Sequence, residues 1–71
     1  MADVCSNMTG TILKILVNVG DKVSENQDVV AIESMKMEMM VPSSLTGTVA
    51  EVKVAPDDFV QEGQVLLVLN D

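Results

Sequence analysis

The chain has 71 residues, which suits one small domain and is too short for two. Apolar residues make up 48% of the chain, but Phe59 is the only aromatic one, so any core must be aliphatic. The formal net charge of −7, with four basic residues and no histidine, excludes the basic footprint of a nucleic-acid binder and disfavours binding to anionic membrane surfaces.

The N-terminal segment is not expected to be a signal peptide. The first residues, Met1-Ala2-Asp3, have neither the basic nor the apolar region of a signal peptide, and no apolar run approaches the roughly 20 residues of a membrane span. Cys5 is the only cysteine, and without a histidine it lacks the base that activates a nucleophilic thiol, so we interpret it as a small strand residue. These features predict an intracellular protein, cytoplasmic or in the mitochondrial matrix if it belongs to a larger organellar enzyme.

The chain contains an internal repeat. Shifting the sequence by 37 positions aligns residues 8–34 with residues 45–71 without a gap. Both copies contain Thr-Gly-Thr and the pattern Asp-x-Val-x-Glu-x-Gln in one register, which chance does not explain. The identical pairs are Thr9/Thr46, Gly10/Gly47, Thr11/Thr48, Val17/Val54, Asp21/Asp58, Val23/Val60, Glu25/Glu62 and Gln27/Gln64.

The first copy is predicted to form strands separated by turns. A segment rich in β-branched residues at 11–17 indicates a strand, and Gly10 before it is expected to supply a turn or bend. Gly20-Asp21 and Asn26-Gln27 are turn signals, and the apolar run 29–33 ends the copy as another strand.

The second copy repeats these elements. Gly47 precedes a strand predicted at 48–54, which alternates cleanly between apolar and polar residues. Turns follow at Pro56-Asp57-Asp58, where turn chemistry explains the two aspartates better than a cation site does, and at 62–64. The run 66–69 is the last strand, and no segment has the period of a capped helix.

These elements predict an all-β fold. Two units of roughly four strands, each too small to bury its own apolar face, form a flattened antiparallel barrel or sandwich with pseudo-two-fold symmetry. We expect one domain over residues 1–71, with its repeat halves at 8–34 and 45–71.

The segment between the two copies breaks a local rule. Residues 33–40 read Glu-Ser-Met-Lys-Met-Glu-Met-Met, and strand-like residues at 29–32 and 37–41 place a hairpin tip at Met35-Lys36. Two-residue hairpin turns require positive φ and favour Asn or Gly, which are absent here. A strained tip in an otherwise consistent sequence is where function is expected. The repeat also makes this tip the counterpart of the gap between the chain ends, so we expect the two to lie at opposite ends of the molecule.

Met35-Lys36-Met37 resembles the attachment site of the biotinyl/lipoyl attachment domain family, in which a lysine stands between two methionines at a hairpin tip. The resemblance extends over residues 8–69 and includes both Thr-Gly-Thr strands and the Val-Gly-Asp turn at 19–21. It implies a barrel-sandwich hybrid. The ungapped repeat leaves no room for the "thumb" insertion of some acetyl-CoA carboxylase carriers, so the chain looks like a thumbless biotin carboxyl carrier domain or a small stand-alone biotin/lipoyl attachment protein.

The resemblance implies a role for four residues of this chain. Lys36 would carry biotin through an amide on its ε-nitrogen. Met35 and Met37 would be recognised by the enzymes that act on this lysine or on its biotin. Glu33 resembles the acidic residue that helps to keep lipoylating enzymes away. The chain itself would have no catalytic residue and no metal ligand, because the chemistry belongs to the cofactor and to partner enzymes.

The partners implied are a biotin protein ligase, which attaches biotin from an acyl-adenylate, a biotin carboxylase and a carboxyltransferase, between which the biotin arm shuttles a carboxyl group. The isolated domain is expected to be monomeric.

Two alternatives from other classes stay open. A lipoyl carrier of 2-oxo-acid dehydrogenase systems has a lysine at the same fold position, but usually within Asp-Lys-Ala, so the flanking methionines favour biotin. An unmodified interaction module is the other alternative. The chain departs from the family at Ser34, where alanine is frequent. Of Met39 and Met40 we expect at least one to fill the core.

Overall fold

The computed structural model describes residues 2–70, and every regular element in that range is a β-strand. Met1 and Asp71, which the sequence places at the two ends of the domain, lie outside the described residues. The strands are β1 (Ala2–Cys5), β2 (Gly10–Ile15), β3 (Lys22–Val23), β4 (Asp28–Ser34), β5 (Met37–Pro42), β6 (Gly47–Val52), β7 (Phe59–Val60) and β8 (Val65–Asn70).

The strands form two four-stranded antiparallel sheets. We call the sheet with strand order β1-β8-β6-β3 the terminal sheet, and the sheet with order β5-β4-β2-β7 the tip sheet. The shift that relates the sequence copies converts one order into the other, and it maps β2 onto β6 and β3 onto β7 residue for residue. Each sheet therefore takes strands from both copies, and the predicted all-β fold with two related halves is confirmed.

The core between the sheets is aliphatic, as composition predicts. Ile12, Val30 and Ile32 of the tip sheet and Leu67 and Leu69 of the terminal sheet are almost fully buried and belong to one cluster. Burying a Val, Leu or Ile side chain contributes about 1.5–3 kcal/mol. Many small contributions of this kind stabilise a domain that lacks large rings.

The predicted turns repeat their hydrogen bonds in both copies. The Asp21 carboxylate accepts from the Asn18 N–H (2.8 Å), and the Asp58 carboxylate accepts from the Ala55 N–H (2.9 Å). Such bonds stabilise a turn, so the turn role expected for Asp58 is confirmed. Asp57 supplies a positive φ of 75° in the second of these turns.

Two details differ from the sequence-based expectation. The strands predicted at 11–17 and 48–54 end two residues early, because Val17 enters the core and Asn18 starts the turn. Gly10 and Gly47 are the first residues of β2 and β6 and do not supply turns. Glycine is needed because another strand approaches its backbone closely. A Cβ on Gly47 would lie 2.6 Å from the carbonyl oxygen of Asn70.

The register places the chain ends and the hairpin tip at opposite ends. Ala2 pairs with Leu69 at the end of the terminal sheet. From there the chain runs along β1 into β2, where Thr11 pairs with Glu33 beside the tip. The molecule measures 34 × 19 × 18 Å, so one long axis separates the two ends. None of the residues from 2 to 70 belongs to a helix that is long and apolar enough to cross a membrane.

Candidate functional site

The hairpin between β4 and β5 closes with two residues, Met35 and Lys36. Ser34 pairs with Met37 across the turn, and the two central residues have φ values of 54° and 66°. Positive φ at both central positions is the property of a type I′ turn, whose twist matches the flanking strands. A left-handed backbone costs an ordinary L-residue about 1–2 kcal/mol, so this turn is strained at both positions.

The tip projects its side chains into solvent. Met35 is 92% exposed and Met37 is 62% exposed, and Lys36 between them is also exposed. Among residues 2–70, the only ion pair joins Lys53 to Glu51 at 3.0 Å, so the Lys36 amine has no carboxylate partner there. The tip therefore offers a primary amine on a short, geometrically defined turn.

Glu33 lies one pair inward from the turn. It is exposed, and it pairs with Glu38 of β5 on one side and with Thr11 of β2 on the other. Since its neighbour Ile32 is in the core, Glu33 points to the outer face of the tip sheet. Its carboxylate is thus at the base of the tip, on the outer face of the sheet.

The remaining methionines of the stretch are not in the core. Met39 is 41% exposed and Met40 is 40% exposed, so the expectation that at least one fills the core is wrong. Both lie on β5, an edge strand of the tip sheet, where only one neighbouring strand covers them. Like Met35 and Met37, they expose soft, adaptable side chains to solvent.

Sequence reasoning missed two residues near the tip. A row crosses the outer face of the tip sheet through Glu38, Glu33, Thr11 and Phe59. Glu38 follows from the hairpin geometry, because a turn at 35–36 places it opposite Glu33. Phe59 comes from the other repeat copy, and no local signal predicts that it lies on this row.

The arrangement suits covalent attachment better than enclosed binding. Residues 2–70 enclose no pocket, and no group of three or more His, Cys, Asp or Glu side chains among them is placed to hold a metal ion. An exposed amine at a hairpin apex can instead be acylated. The flexible lysine side chain then holds the attached group away from the protein surface.

A family model described as "Biotin-requiring enzyme", for biotin and lipoyl attachment domains, matches residues 1–69 of this chain. The chain belongs to the biotin/lipoyl attachment family. The resemblance inferred from the tip and the repeat is thereby confirmed.

Similar proteins include carriers and attachment proteins. The chain is 47% identical over 62 residues to the biotin carboxyl carrier protein of Streptococcus mutans, with 87% of this chain and 48% of that protein covered. It is 44% identical over 64 residues to the biotin/lipoyl attachment protein of Bacillus subtilis, with 90% and 88% covered. The chain thus spans about half of the first protein and most of the second.

Among solved structures, the urea carboxylase of Kluyveromyces lactis contains the same fold. The match has a TM-score of 0.89 and 32% sequence identity, and it covers 97% of this chain and 6% of that one. The flattened barrel or sandwich predicted from the repeat therefore occurs as a small part of that large urea carboxylase chain.

Proposed function

We propose that this chain is a biotin carboxyl carrier in which Lys36 carries the cofactor, and that it acts as a non-catalytic component of a biotin-dependent carboxylase. The observation that carries the proposal is the solvent-exposed lysine at the apex of a strained turn, between two exposed methionines, in a chain of the biotin/lipoyl attachment family. The names of the similar carrier and carboxylase proteins support it.

The residues at the tip fit the attachment chemistry. The Lys36 nitrogen attacks the acyl carbon of biotinyl-adenylate, an amide bond forms and AMP leaves. Because most lysine side chains are protonated at neutral pH and no carboxylate among residues 2–70 contacts this one, the ligase must accept the proton. Met35 and Met37 present apolar surface on both sides of the amine, where an enzyme can hold the lysine in position.

When attached, biotin supplies a ureido nitrogen that carries a carboxyl group between a biotin carboxylase and a carboxyltransferase. The contribution of this chain is to tether that group at the end of the molecule away from Ala2 and Asn70. A tether raises the effective concentration of the cofactor at both active sites. We propose a monomeric, intracellular carrier whose partners are these two enzymes and a biotin protein ligase.

Lipoate is the second candidate cofactor, because one of the similar proteins is named for both attachments. The Lys36 amine is chemically able to accept either acyl group. The flanking methionines favour biotin, and Glu33 at the base of the tip is proposed to disfavour lipoylating enzymes.

Intact mass spectrometry tests the proposal. The chain is incubated with ATP, biotin and a biotin protein ligase, and separately with lipoate and a lipoate ligase. We expect a gain of one biotin less one water for the unmodified chain and for the control K22R, which changes another exposed lysine, but no gain for K36R. A gain with lipoate alone would assign the second cofactor. No gain with either, or an equal gain in K36R, would overturn the proposal.

A further inference from the structure

The outer face of the tip sheet exposes large apolar side chains. Leu13 is 40% exposed, Leu16 42%, Met40 40% and Phe59 63%. Leu13, Met40 and Phe59 each adjoin a core residue along a strand, and Leu16 lies between Ile15 and Val17 just after β2, so each points away from the core. Large apolar side chains exposed on one face mark interaction sites more often than scattered single residues do.

The terminal sheet provides an internal comparison, because the same backbone positions there carry other side chains. The shift between the copies pairs the four apolar residues with small or charged ones. The pairs are Leu13 with Ala50, Leu16 with Lys53, Met40 with Asp3, and Phe59 with Lys22. Since the fold accepts polar residues at these positions, packing does not require the apolar ones.

Carboxylates border the same face near the tip. Glu33 and Glu38 lie in one row with Phe59, and Asp57 and Asp58 immediately precede that ring. The positions equivalent to Glu33 and Asp57 are the uncharged residues Asn70 and Gly20. Lys14, opposite Ala31, is the one cation in the strands of this sheet, against the three carboxylates of Asp28, Glu33 and Glu38. The sheet that exposes the apolar side chains therefore carries a net negative charge.

We propose that this surface, the docking face formed by Leu13, Met40 and Phe59 with Glu33 and Glu38 at its edge, binds the biotin carboxylase that acts on the arm. The inference rests on the proposed carrier function. The occupant is an apolar surface ringed by Arg and Lys side chains. An active site that binds an anionic carboxyl donor carries positive charge at its mouth, and that charge complements the carboxylates of the docking face.

Charge also argues against a second copy of this chain as the occupant. In a two-fold dimer the same patch meets itself, so each copy would meet a surface that carries the same net negative charge. With a net charge of −7 per chain, such a dimer is repulsive at low ionic strength.

The position of the docking face suits an enzyme that must also receive the arm. Neighbouring strands lie about 4.8 Å apart. Phe59 on β7 is two strands from Glu33 on β4, and therefore roughly 10 Å from the base of the tip. A partner seated on this face leaves Lys36 exposed at its edge.

The experiment measures carboxylation of the biotinylated chain by the biotin carboxylase encoded in the same genome. The test variant L13A/F59K introduces the residues that the terminal sheet already carries at the same positions, and the matched control is K22Q/A50S. We expect the test variant to raise KM roughly tenfold with kcat unchanged, as loss of central interface anchors does. The control and the carboxylation of free biotin should not change.

The salt dependence of KM and the oligomeric state measured by sedimentation complete the test. Raising the ionic strength should increase KM for the unmodified chain, because a basic partner is attracted less strongly. An unchanged KM in L13A/F59K, or a KM independent of salt, would overturn the proposal. The proposal would also be overturned if the unmodified chain sedimented as a dimer and L13A/F59K as a monomer, because the face would then bind a second copy. If the unmodified chain is neither biotinylated nor carboxylated, the carrier function itself fails.

Discussion

Glu33 of β4 and Glu38 of β5 lie directly opposite each other, one pair inward from the Ser34–Met37 pair that closes the hairpin. Like charges at facing positions of an antiparallel pair destabilise it. The hairpin that presents Lys36 therefore combines a strained turn with a repulsive pair, both in the part of the chain where function is proposed.

Removing the repulsion should stabilise the protein. E38Q is expected to raise the free energy of unfolding by about 0.2–1 kcal/mol, the usual size of one cross-strand pair effect. The gain should shrink at high salt, because screening weakens interactions between exposed charges. Urea unfolding at two ionic strengths measures both effects, with E25Q in an exposed turn as the control. A loss of stability, or an equal gain in E25Q, would contradict the repulsive role of this pair.

Relieving the turn strain should also stabilise the fold. M35N/K36G places Asn-Gly, the preferred type I′ sequence, at the two residues with positive φ. We expect the free energy of unfolding to rise by about 1–2 kcal/mol, which raises Tm by roughly 4–8 °C per kcal/mol in a domain of this size. Calorimetry measures the change. T48G, at a regularly paired position of β6, should lower stability. A lower Tm in M35N/K36G would exclude strain at the tip.

Gly47, which lies close to another strand, and Gly20, which has a positive φ, should respond differently to substitution by alanine. In G47A the new Cβ would meet the Asn70 carbonyl oxygen at 2.6 Å, and the strands must move apart. We expect a loss of about 3 kcal/mol, at the upper end of overpacking effects. In G20A nothing lies within 4 Å of the Cβ, but φ is 95°, so the loss should be about 1–2 kcal/mol. Equal losses in urea unfolding would contradict close approach as the reason for Gly47.

The aspartates of the two symmetric turns should contribute equally. D21A and D58A each remove one acceptor for a backbone N–H, at Asn18 and Ala55 respectively. Each should cost about 1 kcal/mol, and the double variant about twice that, because the two turns share no partner. Chemical denaturation of the three variants checks this. Unequal single losses would show that the pseudo-symmetry of the backbone does not extend to turn energetics.

Cofactor choice should depend on the residues around Lys36. M35D/M37A converts the tip to the Asp-Lys-Ala sequence usual in lipoyl carriers and is expected to slow biotinylation at least tenfold. E33A is expected to admit lipoylation while biotinylation continues. Time courses by intact mass with each ligase measure both, and M39A, farther along β5, is the control. If M35D/M37A is biotinylated at the unaltered rate, the methionines are not recognition residues.

Much of the architecture was readable in the sequence because local and repeated signals agree. The repeat predicts two related sets of strands, and turn residues such as Asp21 and Asp58 act over three residues, so their roles need no tertiary information. Lys36 stands out for the same local reason, because a two-residue turn without Asn or Gly is unusual wherever it occurs.

Other features depend on contacts between segments that are distant in sequence. Gly47 looks like a bend residue until Asn70 is placed against it. Met39 and Met40 look like core residues until β5 proves to be an edge strand. Phe59 joins the row that contains Glu33 and Thr11 only because β7 of one copy joins the sheet of the other. The sequence alone determined the strands, the turns and the lysine, through local chemistry and symmetry. The tertiary structure alone decided which side chains share the face beside that lysine, because strand pairing joins residues that no local pattern relates.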